Sequence, residues 1–138
     1  MRDIKSANDL TKHLTVGISE LGGVAWRNNV GGAYPIQAIK AVIGMLSRGD
    51  APGAMAFLRR SRPMMFGGIP GLPDIMGILP GGRLLGVEIK WGADTQSDDQ
   101  KTCQSVFDRL GALYIVARDY DQTIEEIRKE ISLRAARL

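Results

Sequence analysis

Residues 68–100 read GIPGLPDIMGILPGGRLLGVEIKWGADTQSDDQ. Two short apolar runs, Ile75 to Leu79 and Leu84 to Ile89, flank the turn Pro80-Gly81-Gly82-Arg83. Glycine supplies the backbone angles of a tight reversal, so the pattern predicts a β-hairpin. Asp74 opens its first strand; Glu88 and Lys90 close its second. Side chains alternate along a strand, which sends Glu88 and Lys90 to one face and Val87 and Ile89 to the other. A carboxylate and an amine then emerge together at a strand end, within reach of Asp74 on the neighbouring strand.

Two adjacent carboxylates repel one another, and a hard divalent cation resolves the conflict. Mg2+ accepts one or two carboxylates and completes its shell with water and substrate phosphate. Asp74 and Glu88 are the candidate ligands, and the backbone carbonyl of Ile89 is a third. Lys90 is placed to stabilise charge on phosphoryl oxygens or to orient an attacking water. The plainer alternative is a surface hairpin on which Glu88 and Lys90 form a weak, solvated ion pair.

The combination of Gly-Leu-Pro-Asp at 71–74, Glu-Ile-Lys at 88–90 and Gln100 at a helix start, with Trp26-Arg27-Asn28 upstream, resembles the PD-(D/E)XK nucleases. Within them it is similar to the VRR-NUC branch, related to Holliday-junction resolvases. The resemblance runs from about Asp9 to about Asp121. It implies a restriction-endonuclease-like α/β fold, a mixed central sheet flanked by helices. It also implies that Asp74 and Glu88 bind metal, that Lys90 assists hydrolysis and that Gln100 supports the site. An acidic residue belongs near the start of the first helix; counting back from Trp26 points to Asp9, with Glu20 as the local rival. Arg27, on a strand beside the site, becomes a candidate phosphate contact, with Asn28 or Asn29 to orient it. The implied activity is a Mg2+-dependent DNA endonuclease, with Mn2+ as a substitute, acting on branched, flapped or junction DNA. Small relatives of this type are frequent in phages, which places the expected site of action in the host cytoplasm. The alternatives are a non-catalytic nucleic-acid-binding module and a phage assembly protein on the same fold.

The whole chain has 138 residues, 44% hydrophobic and 24% charged, an ordinary composition for one globular domain spanning 1–138. No apolar run approaches the roughly 20 residues of a membrane span, and the N-terminus has no secretory apolar core. A single cysteine, Cys103, excludes an internal disulfide and a cysteine zinc cluster; its spacing to Phe107 and Leu110 marks a core thiol. The net charge of +3 is weakly favourable to a polyanion. The local cluster Arg59, Arg60 and Arg62 is a better candidate for phosphate contact, whereas the basic C-terminal segment reads as solvated surface.

Outward from the hairpin, Ser6 or Asn8 is expected to cap a first helix running to about Leu21, its face formed by Leu10, Leu14, Ile18 and Leu21. Val24 to Val30 reads as a strand with Trp26 in the core, and Gly31-Gly32 as a turn. Residues 35–66 form a helical insertion: a helix from Pro35 with Ile36, Ile39, Ile43 and Leu46 on one side, a break at 49–53, and a helix from Ala54 to Arg60. Its spare apolar residues, Met45 among them, suggest the contact of a homodimer. Beyond the hairpin, Ser97 caps a helix held down by Val106, Phe107 and Leu110. Gln100 sits at its third position, where capping competes with a role in the site. Leu113 to Ala117 is a buried strand, and Asp121 is expected to cap a last helix with Ile124, Ile127 and Ile131 inward.

Overall fold

A computed structural model describes residues 2–28, 31–66 and 69–137. The chain forms two compact units, one of residues 1–29 with 69–138 and one of residues 30–68.

The first unit opens with helix α1, Ala7–Glu20, followed by strand β1, Val24–Arg27. The second unit intervenes, contributing β2 (Gly31–Ala33), α2 (Ile36–Ser47), α3 (Ala51–Arg60) and β3 (Met64–Phe66). The chain then returns to the first unit with β4 (Ile75–Ile78), β5 (Leu84–Ile89), α4 (Asp98–Arg109), β6 (Leu113–Ala117) and α5 (Tyr120–Ala136). Its sheet has the order β1-β4-β5-β6. The first three strands are antiparallel and β6 runs parallel to β5, with α4 as the crossover. This is the mixed, helix-flanked sheet expected, and the hairpin is in place.

Strand alternation divides the core. Ile75, Leu85, Val87, Ile89 and Ile115 point towards α1 and α5, where Leu10, Leu14, Ile18, Ile124 and Ile127 meet them. On the other face Tyr114 packs with Cys103 and Phe107 of α4. Each fully buried Leu or Ile contributes about 1.5–3 kcal/mol, so the α1/α5 layer carries most of the hydrophobic stabilisation.

Several local expectations are corrected. Trp26 is 44% exposed rather than in the core, because β1 is an edge strand and α4 packs on β6 at the opposite edge. Only Cys103 and Phe107, one helical turn apart, are buried on α4; Val106 and Leu110, expected to pack with them, are exposed. Strand β1 stops at Arg27; the expected continuation at Asn29 and Val30 lies outside the described residues. Gly31-Gly32 is a strand rather than a turn, paired antiparallel with Met65 and Phe66. Helix α3 begins three residues early, because Asp50 caps it by accepting from Gly53 N and Pro52 suits its first turn. Asp119, not Asp121, caps α5: its backbone is extended and its carboxylate accepts from Gln122 N at 2.9 Å.

In the second unit, α2 and α3 pack together and β2 pairs with β3. Helix α2 has no buried residue; Ile36, Ile39, Ile43 and Leu46 are all exposed.

Candidate active site

The site begins with register. β4 and β5 pair Ile75 with Val87, and continuing that antiparallel register sets Asp74 opposite Glu88. The Asp74 carboxylate accepts the backbone N–H of Ile89 at 2.8 Å, which locks the two strand ends together. On the other side of Asp74, its carbonyl accepts from Asn28 N at 2.8 Å, and Asn28 Nδ2 donates to the carbonyl of Pro73 at 3.1 Å.

Glu88 and Lys90 are not a surface pair. They are 3% and 5% exposed, and Lys90 Nζ lies 3.2 Å from Glu88 Oε1. The same amine is 3.6 Å from Asp94 Oδ2. Glu88 is held protonated up to about pH 7, first because burial penalises its charge and next because Asp74 repels it, with Lys90 opposing both. Its second oxygen, Oε2, is buried and has no hydrogen-bond partner. Lys90 reaches only Oε1, so the unpartnered Oε2, buried beside a second carboxylate, costs free energy unless a proton or a further cation meets it.

Gln100 resolves the competition between its two expected roles, because an amide has two ends. Its Oε1 accepts from Ser97 N at 2.8 Å, completing a capping box. Its Nε2 donates to Glu88 Oε1 at 2.5 Å. The approach of α4 that makes this possible depends on Gly71, whose φ is +78°. A Cβ at that position would lie 2.2 Å from the carbonyl oxygen of Asp99 and 2.7 Å from Gln100 N. Gly86 acts similarly beneath the site, where a Cβ would meet Pro73 at 2.5 Å and Phe107 at 2.8 Å.

Asp74, Glu88, Lys90, the Ile89 backbone and Gln100 are therefore gathered at one strand end. Asp9 stays outside their hydrogen-bond network; its carboxylate accepts from Ser6 Oγ at 2.9 Å in the first turn of α1. Glu20, at the opposite end of α1, pairs with Arg2 at 3.7 Å. Arg27 is exposed and donates to Asn8 Oδ1 at 2.9 Å, so Asn8 rather than Asn28 orients it; Asn29 lies outside the described residues. Arg59 and Arg60 in the last turn of α3, and Arg62 just beyond it, are exposed on the second unit.

Three participants escaped sequence reading: Asn8, through its bond to Arg27, and two residues beyond β5 and β6. Asp94 reaches back to Lys90, and Arg118 straps its loop by donating to the carbonyls of Gly92 at 3.2 Å and Asp94 at 2.7 Å. The i,i+4 spacing of Lys90 and Asp94 was visible, but it carries meaning only once the loop folds back.

Among the described residues no group of three or more His, Cys, Asp or Glu side chains is placed to hold a metal ion. Two carboxylates, Asp74 and Glu88, would make a smaller donor set, with the Ile89 carbonyl as the expected third ligand. That fits a cation which takes few carboxylates and keeps several waters, as Mg2+ does. The unpartnered Glu88 Oε2 points to the same conclusion.

No protein-family model matches the sequence, and no curated protein matches it either. A solved structure described as a VRR_NUC domain is similar at a TM-score of 0.52 and 17% identity, covering 91% of this chain and 97% of that one. The similarity supports the fold, a restriction-endonuclease-like α/β core with a mixed sheet flanked by helices; residues 30–68, where a helical insertion was expected at 35–66, form a unit of two helices and a two-stranded ribbon. No helix among the described residues is long and apolar enough to cross a membrane.

Proposed function

We propose that this protein is a divalent-metal-dependent DNA endonuclease. The observation that carries the reading is the opposed pair Asp74 and Glu88, with an unpartnered Glu88 oxygen and a buried lysine beside it. Asp74, Glu88 and the Ile89 carbonyl would hold Mg2+, or Mn2+ in its place. Such an ion supplies an acidified water and positive charge for the phosphoryl group. Gln100 fixes the Glu88 carboxylate through one oxygen and leaves the other available. Lys90 offers positive charge to the phosphoryl oxygens or orients the attacking water. Arg27, Arg59, Arg60 and Arg62 contact the DNA backbone, which favours selection by DNA shape over a read sequence. Branched, flapped or junction DNA is the substrate class. The chain of 1–138 acts as a single VRR-NUC-like nuclease domain, paired as a homodimer, in the cytoplasm of a host cell if a phage encodes it.

Plasmid nicking with Mg2+ or Mn2+, against an EDTA control, tests the reading. Asp74→Asn and Glu88→Gln are each expected to lower nicking by about 100-fold or more, the scale of losing a group aimed at transition-state charge. Calorimetry with Mn2+ is expected to show weakened binding in both. Lys90→Ala is expected to lower turnover more than DNA affinity. Unchanged nicking by the carboxylate variants removes the assignment. DNA binding without any metal-dependent nicking by the native protein leaves the non-catalytic module. For the first helix, Asp9→Asn is expected to impair cleavage more than Glu20→Gln. Asp9 lies at the helix end where Asn8 meets Arg27.

A further inference from the structure

On the other side of the same strand ends lies a cavity of about 340 Å3, bounded by Trp91, Arg118, Tyr120, Arg2 and Asp121 among others. Its position follows from the sheet. Lys90 N donates to the carbonyl of Ala117 at 2.9 Å, so the next residues, Trp91 and Arg118, stand side by side where β5 and β6 run out. Lys90 faces the carboxylates; Trp91, one residue on, belongs to the opposite face. The cavity thus adjoins the candidate site around the edge of the sheet.

Trp91 is 40% exposed, and it has no role in the site described above. The Tyr120 ring is covered by the guanidinium of Arg2, 4.3 Å from its centroid. Among the described residues Trp91 stacks on neither a ring nor a guanidinium, so its π-face remains open to a ligand. Arg118 donates to the carbonyls of Gly92 and Asp94, and Asp119 and Asp121 balance the charges of Arg2 and Arg118, which leaves the lining neutral overall and, among the described residues, without a cation free for a phosphate. Carboxylates repel a phosphate but accept from the amino edge of a base. A flat neutral group with two apolar faces and a polar edge fits this lining, and the volume lies within the range that encloses such a group.

We propose that this cavity takes an unpaired nucleobase of the DNA substrate, stacked on Trp91 beside the scissile phosphodiester. The proposal rests on the nuclease reading and gives it a physical source of structure selectivity. A paired base must be unstacked and swung out before it can enter, whereas a base in a single-stranded flap is already released. The same cavity would therefore favour irregular over continuous duplex DNA without reading sequence.

The test uses the full chain in EDTA, so that binding is measured apart from cleavage. In a Trp26→Phe background Trp91 is the remaining tryptophan. Its emission is expected to be quenched by a 5′-flap duplex and not by a blunt duplex of equal length. In the native background Trp91→Ala is expected to weaken flap binding about tenfold, the scale of one lost base stack, with blunt-duplex binding unchanged. Trp91→Phe is expected to recover most of the loss. Equal flap affinity in Trp91→Ala, or emission indifferent to the unpaired strand, overturns the proposal. If Trp91→Ala does not fold, the emission change and the Trp91→Phe variant decide it. Metal-dependent nicking by a protein whose Trp91 ignores the flap removes the cavity and keeps the nuclease. A Trp91-dependent flap preference without nicking does the reverse.

Discussion

Glu88 is buried in the folded protein, and its protonation reports the cost. Its carboxyl is raised from 4.5 to about 7 by burial first and Asp74 second. Between those values the unfolded chain has released the proton and the folded protein still holds it. Folded protein binds more protons there, so stability falls as pH rises from about 4.5 to about 7. The expected loss in metal-free protein is on the order of 3 kcal/mol. Urea unfolding in EDTA across this range checks it, and Glu88→Gln is expected to flatten the dependence; a slope unchanged in Glu88→Gln assigns it to other groups. Most of this centre was legible in the sequence, because strand alternation and hairpin register are local rules and fix Asp74, Glu88 and Lys90 together. Gln100 was found for its position, but its double bond was not, since that depends on how closely α4 approaches β5. Asn8, Asp94 and Arg118 were illegible because their partners are brought near by tertiary packing or by a loop folding back.

Elements deliver those residues by close approach, and Gly71 shows how narrow the tolerance is. Its backbone is left-handed and its missing Cβ makes room for the first turn of α4. Gly71→Ala is expected to cost at least about 1–3 kcal/mol from backbone conformation alone. It is also expected to lower cleavage by moving Gln100 away from Glu88. Thermal unfolding and nicking assays check the pair of effects; normal activity in a destabilised variant separates the helix approach from catalysis. The helices themselves were readable from apolar spacing, as Leu10, Leu14 and Ile18 of α1 illustrate. Ends and edges were less so. Gly31-Gly32 carries every mark of a turn, and only its distant partner strand makes it extended. Trp26 carries every mark of a core residue, and only its place on an edge strand exposes it.

At the scale of the whole molecule, the row of exposed Ile36, Ile39, Ile43 and Leu46 on α2 supports the proposed homodimer, since a contiguous apolar helix face favours association. Light scattering at several concentrations is expected to give twice the chain mass, and Ile39→Glu with Ile43→Glu is expected to restore the monomer. A monomer at every concentration, with and without DNA, removes the assembly and favours nicking or flap cleavage over symmetric resolution. The inserted unit has a separate effect on how the chain folds. Its strands β2 and β3 pair Gly31 with Phe66, so the segment departs and returns at neighbouring points. Strands β1 and β4, which flank it in sequence, are themselves partners in the sheet. Without the β2–β3 pairing, joining them would close a long flexible loop, at about 0.6 kcal/mol for each doubling of length. Once the insertion zips shut, Arg27 and Ile75 are separated by a much shorter effective tether. An insertion that forms first would thereby act as a clasp for the β1–β4 edge, since the closure entropy is then met within the insertion rather than by the sheet.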